Sequence, residues 1–445
     1  MITDPRRLVA LAFAALVLSG CVESQRPEAS GKGTISAIHA APTAAELAFL
    51  IEERSLGNLT YKGAIGAQPF DDLTYDFNFD ARVPGSASLQ RIATETVSIV
   101  AGMDYVFALT GTVSAPSVVV WESEDRQWEG SETVLEVSAG HLAAGTGAVD
   151  LYFEAPGTAP IGGNARGSLS FGERLPAFDV EDGRYVLIVT EQGDPATILF
   201  TSASRDYNQQ TTVLFTLHDA DPSITSALSV RRIEEGGSSV ELGDTGSPPT
   251  RRYFNAAFSS GNVDVWLDDD FATPIVADLG YGGVSADVPV PSGASTYTYT
   301  TAGNPGAVLL EDEETVAVNT RGTNFLMGAS GDLETVSVID NRRAISGFAK
   351  VRVTQLSANL DLVDAYLLNA GTDINDVGPN IPRINTADSS DYLHLQPGNY
   401  ELTVTQAGGK TVVAGPLALD LTSGDIAEVA LIDTADPNLL NIVAY

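Results

Sequence analysis

Cysteine occurs once in these 445 residues, at Cys21. No disulfide can therefore close within one chain, and the fold must be held by burial of apolar surface alone. Histidine is nearly as scarce: His39, His141, His218 and His394 are the four present. None stands in an H-x-x-x-H, H-E-x-x-H or Cys/His spacing, so a zinc site has no support. No G-x-S-x-G elbow occurs, and the glycine-rich stretches lack the lysine and spacing of a P-loop. Beyond the N-terminal segment no run approaches eighteen consecutive apolar residues, so no transmembrane helix is expected. Positive charge is also thin: 24 Lys and Arg stand against 58 Asp and Glu, a net charge of -34. A surface of that sign repels polyanions, which argues against nucleic acid and anionic headgroups as partners. The acids are spread along the chain and read as a solvated surface. A saline habitat would account for them, because at about 1 M salt the Debye length is roughly 3 Å and their mutual repulsion is mostly screened.

What is present begins at the N-terminus. Arg6 and Arg7 precede an unbroken apolar run from Leu8 to Leu18, then Ser19, Gly20 and Cys21. Spanning hydrocarbon takes about twenty apolar residues, so this run is too short for a membrane helix and suits a signal peptide over residues 1–20. Leu18-Ser19-Gly20-Cys21 resembles the bacterial lipobox, in which the cysteine is lipidated and becomes the mature N-terminus. The resemblance implies three acyl chains on Cys21, and several chains bind a membrane almost permanently. Val22 follows where inner-membrane lipoproteins carry Asp, so the same resemblance implies the outer membrane. The alternative is an ordinary secretory signal with an incidental thiol. Residues 21–32, polar from Val22 onward, read as the lipidated cysteine and its tether.

Four apolar-acid-apolar-aromatic quartets follow: Ala45-Glu46-Leu47-Ala48-Phe49 (the loosest, slipped by one residue), Val149-Asp150-Leu151-Tyr152, Val263-Asp264-Val265-Trp266 and Val363-Asp364-Ala365-Tyr366. After each comes a turn with Gly, usually with Pro: Val83-Pro84-Gly85-Ser86, Glu181-Asp182-Gly183-Arg184, Val290-Pro291-Ser292-Gly293 and Gln396-Pro397-Gly398-Asn399. Pro presets φ for a turn and Gly supplies the left-handed conformation. The strands after these turns alternate with period two, as in Tyr400, Leu402 and Val404 against Glu401, Thr403 and Thr405. Each copy ends in a strand pair, the last being Asp425–Ile432 and Asn438–Tyr445. Short strands punctuated by turns predict an all-β chain of four tandem immunoglobulin-like antiparallel sandwiches at 33–125, 131–235, 250–343 and 347–445, with 235–249 as the clearest linker. The expected shape is a rod or bent string.

The repeats resemble the bacterial domain-of-unknown-function family numbered 4397, found in tandem in exported proteins. The residues that carry the resemblance are Ile38-His39-Ala40-Ala41-Pro42, the V-D-x-aromatic strands and the P-x-G turns. Copies two to four are expected to depart from the His-Ala-Ala-Pro opening at Ser138-Ala139-Gly140-His141, Asn255-Ala256-Ala257-Phe258 and Gln355-Leu356-Ser357-Ala358. The resemblance implies a β-sandwich and export, and no known reaction.

Other chemistry is sparse. Asp268-Asp269-Asp270, Asp219 with Asp221, and Glu311 to Glu314 read as turn acids; calcium would need six to eight oxygens, and no EF-hand pattern is present. Asp150, Asp264 and Asp364 suit acceptors of backbone N–H groups from a neighbouring turn. Trp121, Trp128, Trp266, Tyr297 and Tyr299 could stack on sugars or pack in the core. The reading is a non-catalytic envelope module lipidated at Cys21, with no catalytic residue, cofactor or metal. Its expected partners are the membrane and an envelope protein or polysaccharide; carbohydrate binding by exposed aromatics is the alternative.

Overall fold

A computed structural model describes residues 29–83, 88–234, 236–268 and 270–445. The expected signal peptide, Cys21 and most of the expected tether lie outside them. Among the described residues there is no α-helix, only two single-turn 3-10 segments, Gly162–Asn164 and Ile374–Asp376. The strands form eight sheets, two to each of four consecutive sandwiches.

The first sandwich sets the plan. Its strands are β1 (Lys32–His39), β2 (Leu47–Ile51), β3 (Arg54–Leu59), β4 (Ala64–Asp71), β5 (Thr74–Arg82), β6 (Leu89–Ser98), β7 (Met103–Thr112) and β8 (Ala115–Glu124). One sheet runs β4-β1-β7-β8 and the other β3-β2-β5-β6. Most pairs are antiparallel, but β1 lies parallel to β7. That parallel contact recurs between Val134–His141 and Thr212–Asp219, Thr250–Asn255 and Arg321–Ala329, and Ala349–Gln355 and Ile426–Asp433. The strand that opens each repeat is thus clamped by the one that nearly closes it, which makes each repeat a closed unit.

Period-two residues meet between the sheets and give each sandwich its own core. Phe49, Phe77, Phe79 and Phe107 fill the first; Leu402 and Val404 stand in the fourth. The opposite faces are less wet than alternation alone predicts. Thr298 and Thr300 are buried as fully as their neighbours Tyr297 and Tyr299, because Trp266 lies over that face and its indole Nε1–H donates to Thr300 Oγ1 at 2.9 Å. The quartet aromatics Tyr152 and Tyr366 are buried in the same way.

Three expectations change. The stretch read as a linker, 235–249, carries a strand: Ser239–Leu242 pairs with Leu228–Glu234 and widens the second sandwich. In the first repeat, Val83-Pro84-Gly85-Ser86 falls between β5 and β6 and not before β5, with 84–87 outside the described residues. The molecule is also not a string. The outer face of the β1 sheet packs on its counterpart in the second sandwich through Ile38, Val106, Ala108, Trp121, Leu142 and Leu214. The third and fourth sandwiches pack likewise through Phe254, Phe325, Met327, Leu356, Ala430 and Ile432. Close approach requires glycine at Gly140, where a Cβ would lie 2.0 Å from the Trp121 ring, and Trp121 Nε1–H donates to Gly172 O at 2.8 Å.

Candidate functional site

The quartet acids are staples. Asp264 accepts from Asp278 N and Gly303 N, both at 2.8 Å. Asp364 accepts from Arg383 N and Gly408 N at the same distance. Asp150 accepts from Gly193 N at 2.8 Å and Ser168 Oγ at 2.5 Å. Each carboxylate ties an edge strand, bulged at Asp264 and Asp364, to the tip of the next hairpin. The tip residues Gly193, Gly303 and Gly408 all hold φ near +75°, a conformation open to glycine at no steric cost. Among the described residues the first repeat has no such staple. Ala48 takes that place in the register, paired with Asp80, and Glu46 is exposed two residues earlier.

The histidines fall into a pattern that letter matching misses. His39 Nδ1 accepts from Ala41 N and its Nε2 meets Ala45 O at 2.8 Å. His141 does the same with Ala143 N and Gly147 O. Asn255 Oδ1 accepts from Ala257 N and its Nδ2 donates to Gly261 O; Gln355 does so with Ser357 N and Leu360 O. All four side chains are fully buried. They are one position in four repeats, an acceptor for the i+2 amide and a donor to a carbonyl five or six residues on. His39 and His141 are therefore equivalent, contrary to the expected mismatch. The signal was available: each lies eight residues before Leu47, Val149, Val263 or Val363. Burial, with help from the Arg343 charge, pushes the His39 imidazole down to about 4, so it works as a neutral hydrogen-bonding group and not as a proton carrier.

Charged side chains gather where the sandwiches meet. Asp340, with its side chain fully enclosed, accepts from Arg252, Arg342 and Arg352. Glu428 accepts from Arg252, Arg352 and the Tyr392 hydroxyl. Asp287 holds Arg342 at 2.6 Å and Arg321 at 3.0 Å, and the Arg342 hydrogen bond keeps its carboxyl below the usual range. Between the first two sandwiches, Lys62 reaches Asp221 at 3.2 Å and Glu241 at 2.7 Å. The Tyr61 hydroxyl donates to Asp219 O, as the Tyr281 hydroxyl does to Asp433 O in the second pair. Each of these carboxylates is taken up by cations or backbone, so the arrangement clamps elements and leaves no free general base.

A cavity of about 300 Å³ lies between the first sandwich and the start of the fourth, lined by Ala48, Leu89, Ile345 and Phe348 and by the polar groups Glu46, Arg82, Arg343 and His394. Arg343 spans the junction. Its Nη1 donates to Pro42 O and Ala44 O, both at 2.9 Å, and its guanidinium stacks on Tyr61 at 4.9 Å. No carboxylate pairs with it among the described residues.

The other candidates are dispersed. Cys21 lies outside the described residues. Tyr297, Tyr299, Trp121 and Trp266 are buried, and Trp128 is half-buried under Arg126 at 4.6 Å, so these five form no stacking platform. Glu311 to Glu314 sit on the strand Val308–Val316 and not in a turn, with Glu314 bound by Arg251 and Asn324. Asp268 accepts from Thr296 N on another strand, Asp270 from the nearby Ala272 N, and Asp219 from Ala144 N and Gly145 N, and Asp269 is outside the described residues. Among the described residues no three His, Cys, Asp or Glu side chains are grouped to hold a metal ion.

Compared with known proteins, the chain matches the profile of a domain of unknown function (DUF4397) over residues 33–152 and 250–366, together more than half its length. Both matches run through one whole sandwich into the quartet of the next. No curated protein matches. Among solved structures, the Bacillus anthracis TIE protein aligns over 98% of this chain and 80% of its own, at 11% identity and a TM-score of 0.16. The major pilin subunit of Bacillus cereus aligns over 68% of this chain and 99% of its own, at 10% identity and a TM-score of 0.14. Neither likeness carries an argument.

Proposed function

Because the chain belongs to the domain-of-unknown-function family 4397, a family marked here by scaffold residues, we propose that it is a non-catalytic module of the cell envelope, anchored through lipid on Cys21 in the outer membrane. Its role is structural or adhesive: the four sandwiches present a compact acidic head to an envelope protein or polysaccharide. The observation that carries this reading is the use of the buried polar groups. Asp150, Asp264, Asp364, His39, His141 and the Asp340–Glu428 cluster are all spent on holding loops and interfaces. An acid–base catalyst needs a group of matched pKa free to reach a substrate, and these groups are not free. The anchor is supported by the lipobox-like Leu18-Ser19-Gly20-Cys21 alone.

The test is the intact mass of the mature protein recovered from membranes, beside Cys21→Ala. A mass excess of three acyl chains, lost with membrane association in the variant, is expected. A soluble, unlipidated product from the unaltered sequence would overturn the anchor and leave a secreted chain with one free thiol.

A further inference from the structure

The cavity between the first and fourth sandwiches departs from the rest of the molecule in charge. The chain carries a net charge of -34, yet this wall presents Arg82 and Arg343 against the single acid Glu46. Elsewhere the junction arginines meet carboxylates at 2.6–3.3 Å, as at Asp287 and Asp340. Arg343 and Arg82 have no such partner among the described residues. Arg343 is half-buried, and carbonyls occupy only its Nη1, so the rest of the guanidinium is open to an anion. Its Nε and Nη2 make no protein hydrogen bond among the described residues, and the side chain borders the cavity. Behind the wall, Lys350 pairs in register with His394, and its Nζ donates to Asn341 O and Oδ1 and lies over the Tyr392 ring. Burial first, and then the charges of Lys350, Arg343 and Arg82, hold the His394 imidazole below its ordinary value, so it faces the cavity as a neutral group at neutral pH. The remaining lining is apolar: Ile345 and Phe348 are buried, and Leu89 is 47% exposed at the rim.

We infer that this cavity is a binding site for a small monoanionic amphiphile, its carboxylate seated on Arg343 and Arg82 and its apolar body against Ile345, Phe348 and Leu89. The planar fork of arginine matches a carboxylate in bidentate fashion. Glu46 at the same wall opposes a second negative charge, which favours a monoanion over a phosphate dianion. The volume sits at the lower end of the range of about 300–1,000 Å³ usual for ligand pockets, so the ligand is small. The site exists only because the segment after the third sandwich crosses to the first, where Ser346 N also donates to Thr43 O at 2.9 Å.

Calorimetric titration of the full chain, without its signal peptide, with sodium octanoate tests this. Octanol serves as the uncharged control and inorganic phosphate as the apolar-free anion. Saturable one-to-one binding of octanoate is expected, with octanol and phosphate at least tenfold weaker. Arg82→Gln, an exposed position, should weaken octanoate about tenfold, the cost of one charge-assisted contact near 1.4 kcal/mol. Arg343→Gln should do at least as much, with a thermal melt reporting any loss of fold separately. Equal affinity for octanol and octanoate would overturn the assignment, as would tighter binding of phosphate, no saturation by octanoate, or an Arg82→Gln chain that binds like its parent. The outcome does not depend on lipidation at Cys21, so this inference can fail while the envelope reading stands.

Discussion

At His39 the protein shows what a buried imidazole is for when it does no chemistry. The same two hydrogen bonds are made by His, His, Asn and Gln in the four repeats, so the requirement is an acceptor and a donor about one ring apart, not a titrating group. The substitution His39→Asn should therefore be tolerated where His39→Ala is not. Alanine leaves the Ala41 amide and the Ala45 carbonyl buried without partners, at about 1–3 kcal/mol each. The pH dependence follows from the depressed pKa. Unfolded, the imidazole takes a proton near 6.5; folded, it resists until about 4. Between those values the unfolded chain binds the extra proton, so stability is complete above 6.5 and drains as pH falls toward 4, by up to roughly 3 kcal/mol. Calorimetric melts at pH 7.5 and 5 would check this. The parent's melting temperature should fall more between the two than that of His39→Asn, and an identical fall in both would mean that this imidazole titrates normally.

At the scale of the element, back-to-back packing rests on Gly140, which faces outward from its own core toward Trp121. The substitution Gly140→Val should leave the core of the second sandwich intact, because Val137 and Ala139 face inward beside it. It should force Trp121 out and break its bond to Gly172, since overpacking costs about 1–3 kcal/mol where neighbours cannot move. The expected readout is a red-shifted tryptophan emission and faster proteolysis in the connection around residues 125–133. Unchanged emission and cleavage would mean that the two sheets do not meet as described. Local signals made much of each sandwich legible in advance. The closing strand pairs, the turn before Gly183, Gly293 and Gly398, and the role of Asp150, Asp264 and Asp364 all follow from period two and from what a short carboxylate can reach. What was illegible depends on partners distant in sequence. Ser239–Leu242 looks like a Gly/Ser linker because its strand character comes from the neighbour it pairs with. The cavity is assembled from residues about three hundred positions apart, such as Tyr61 and Arg343, and no spacing rule brings those together.

For the whole molecule, the family profile overruns one repeat and stops inside the next. The unit it matches, 33–152 and again 250–366, takes in part of the other half of each back-to-back contact: Gly140 and Leu142 in one pair and Leu356 in the other. Compactness then sharpens the charge problem, because a cluster brings acids closer together than a string would. With a net charge of -34, raising NaCl from about 0.05 M to 1 M should shorten the Debye length from above 10 Å to roughly 3 Å and relieve repulsion between exposed carboxylates. The junction ion pairs are enclosed and should be screened far less: Asp340 has no exposed side-chain surface, and Arg352 and Glu428 nearly none. The melting temperature should therefore rise with salt. The comparison to make is the same titration on Asp340→Asn, which weakens the enclosed cluster and leaves the exposed acids in place. That chain should melt lower at every salt concentration, with the same upward slope. A flat or falling slope in the parent would mean that the surface acids do not limit stability, and that attraction across the junctions, not repulsion at the surface, is what salt acts on.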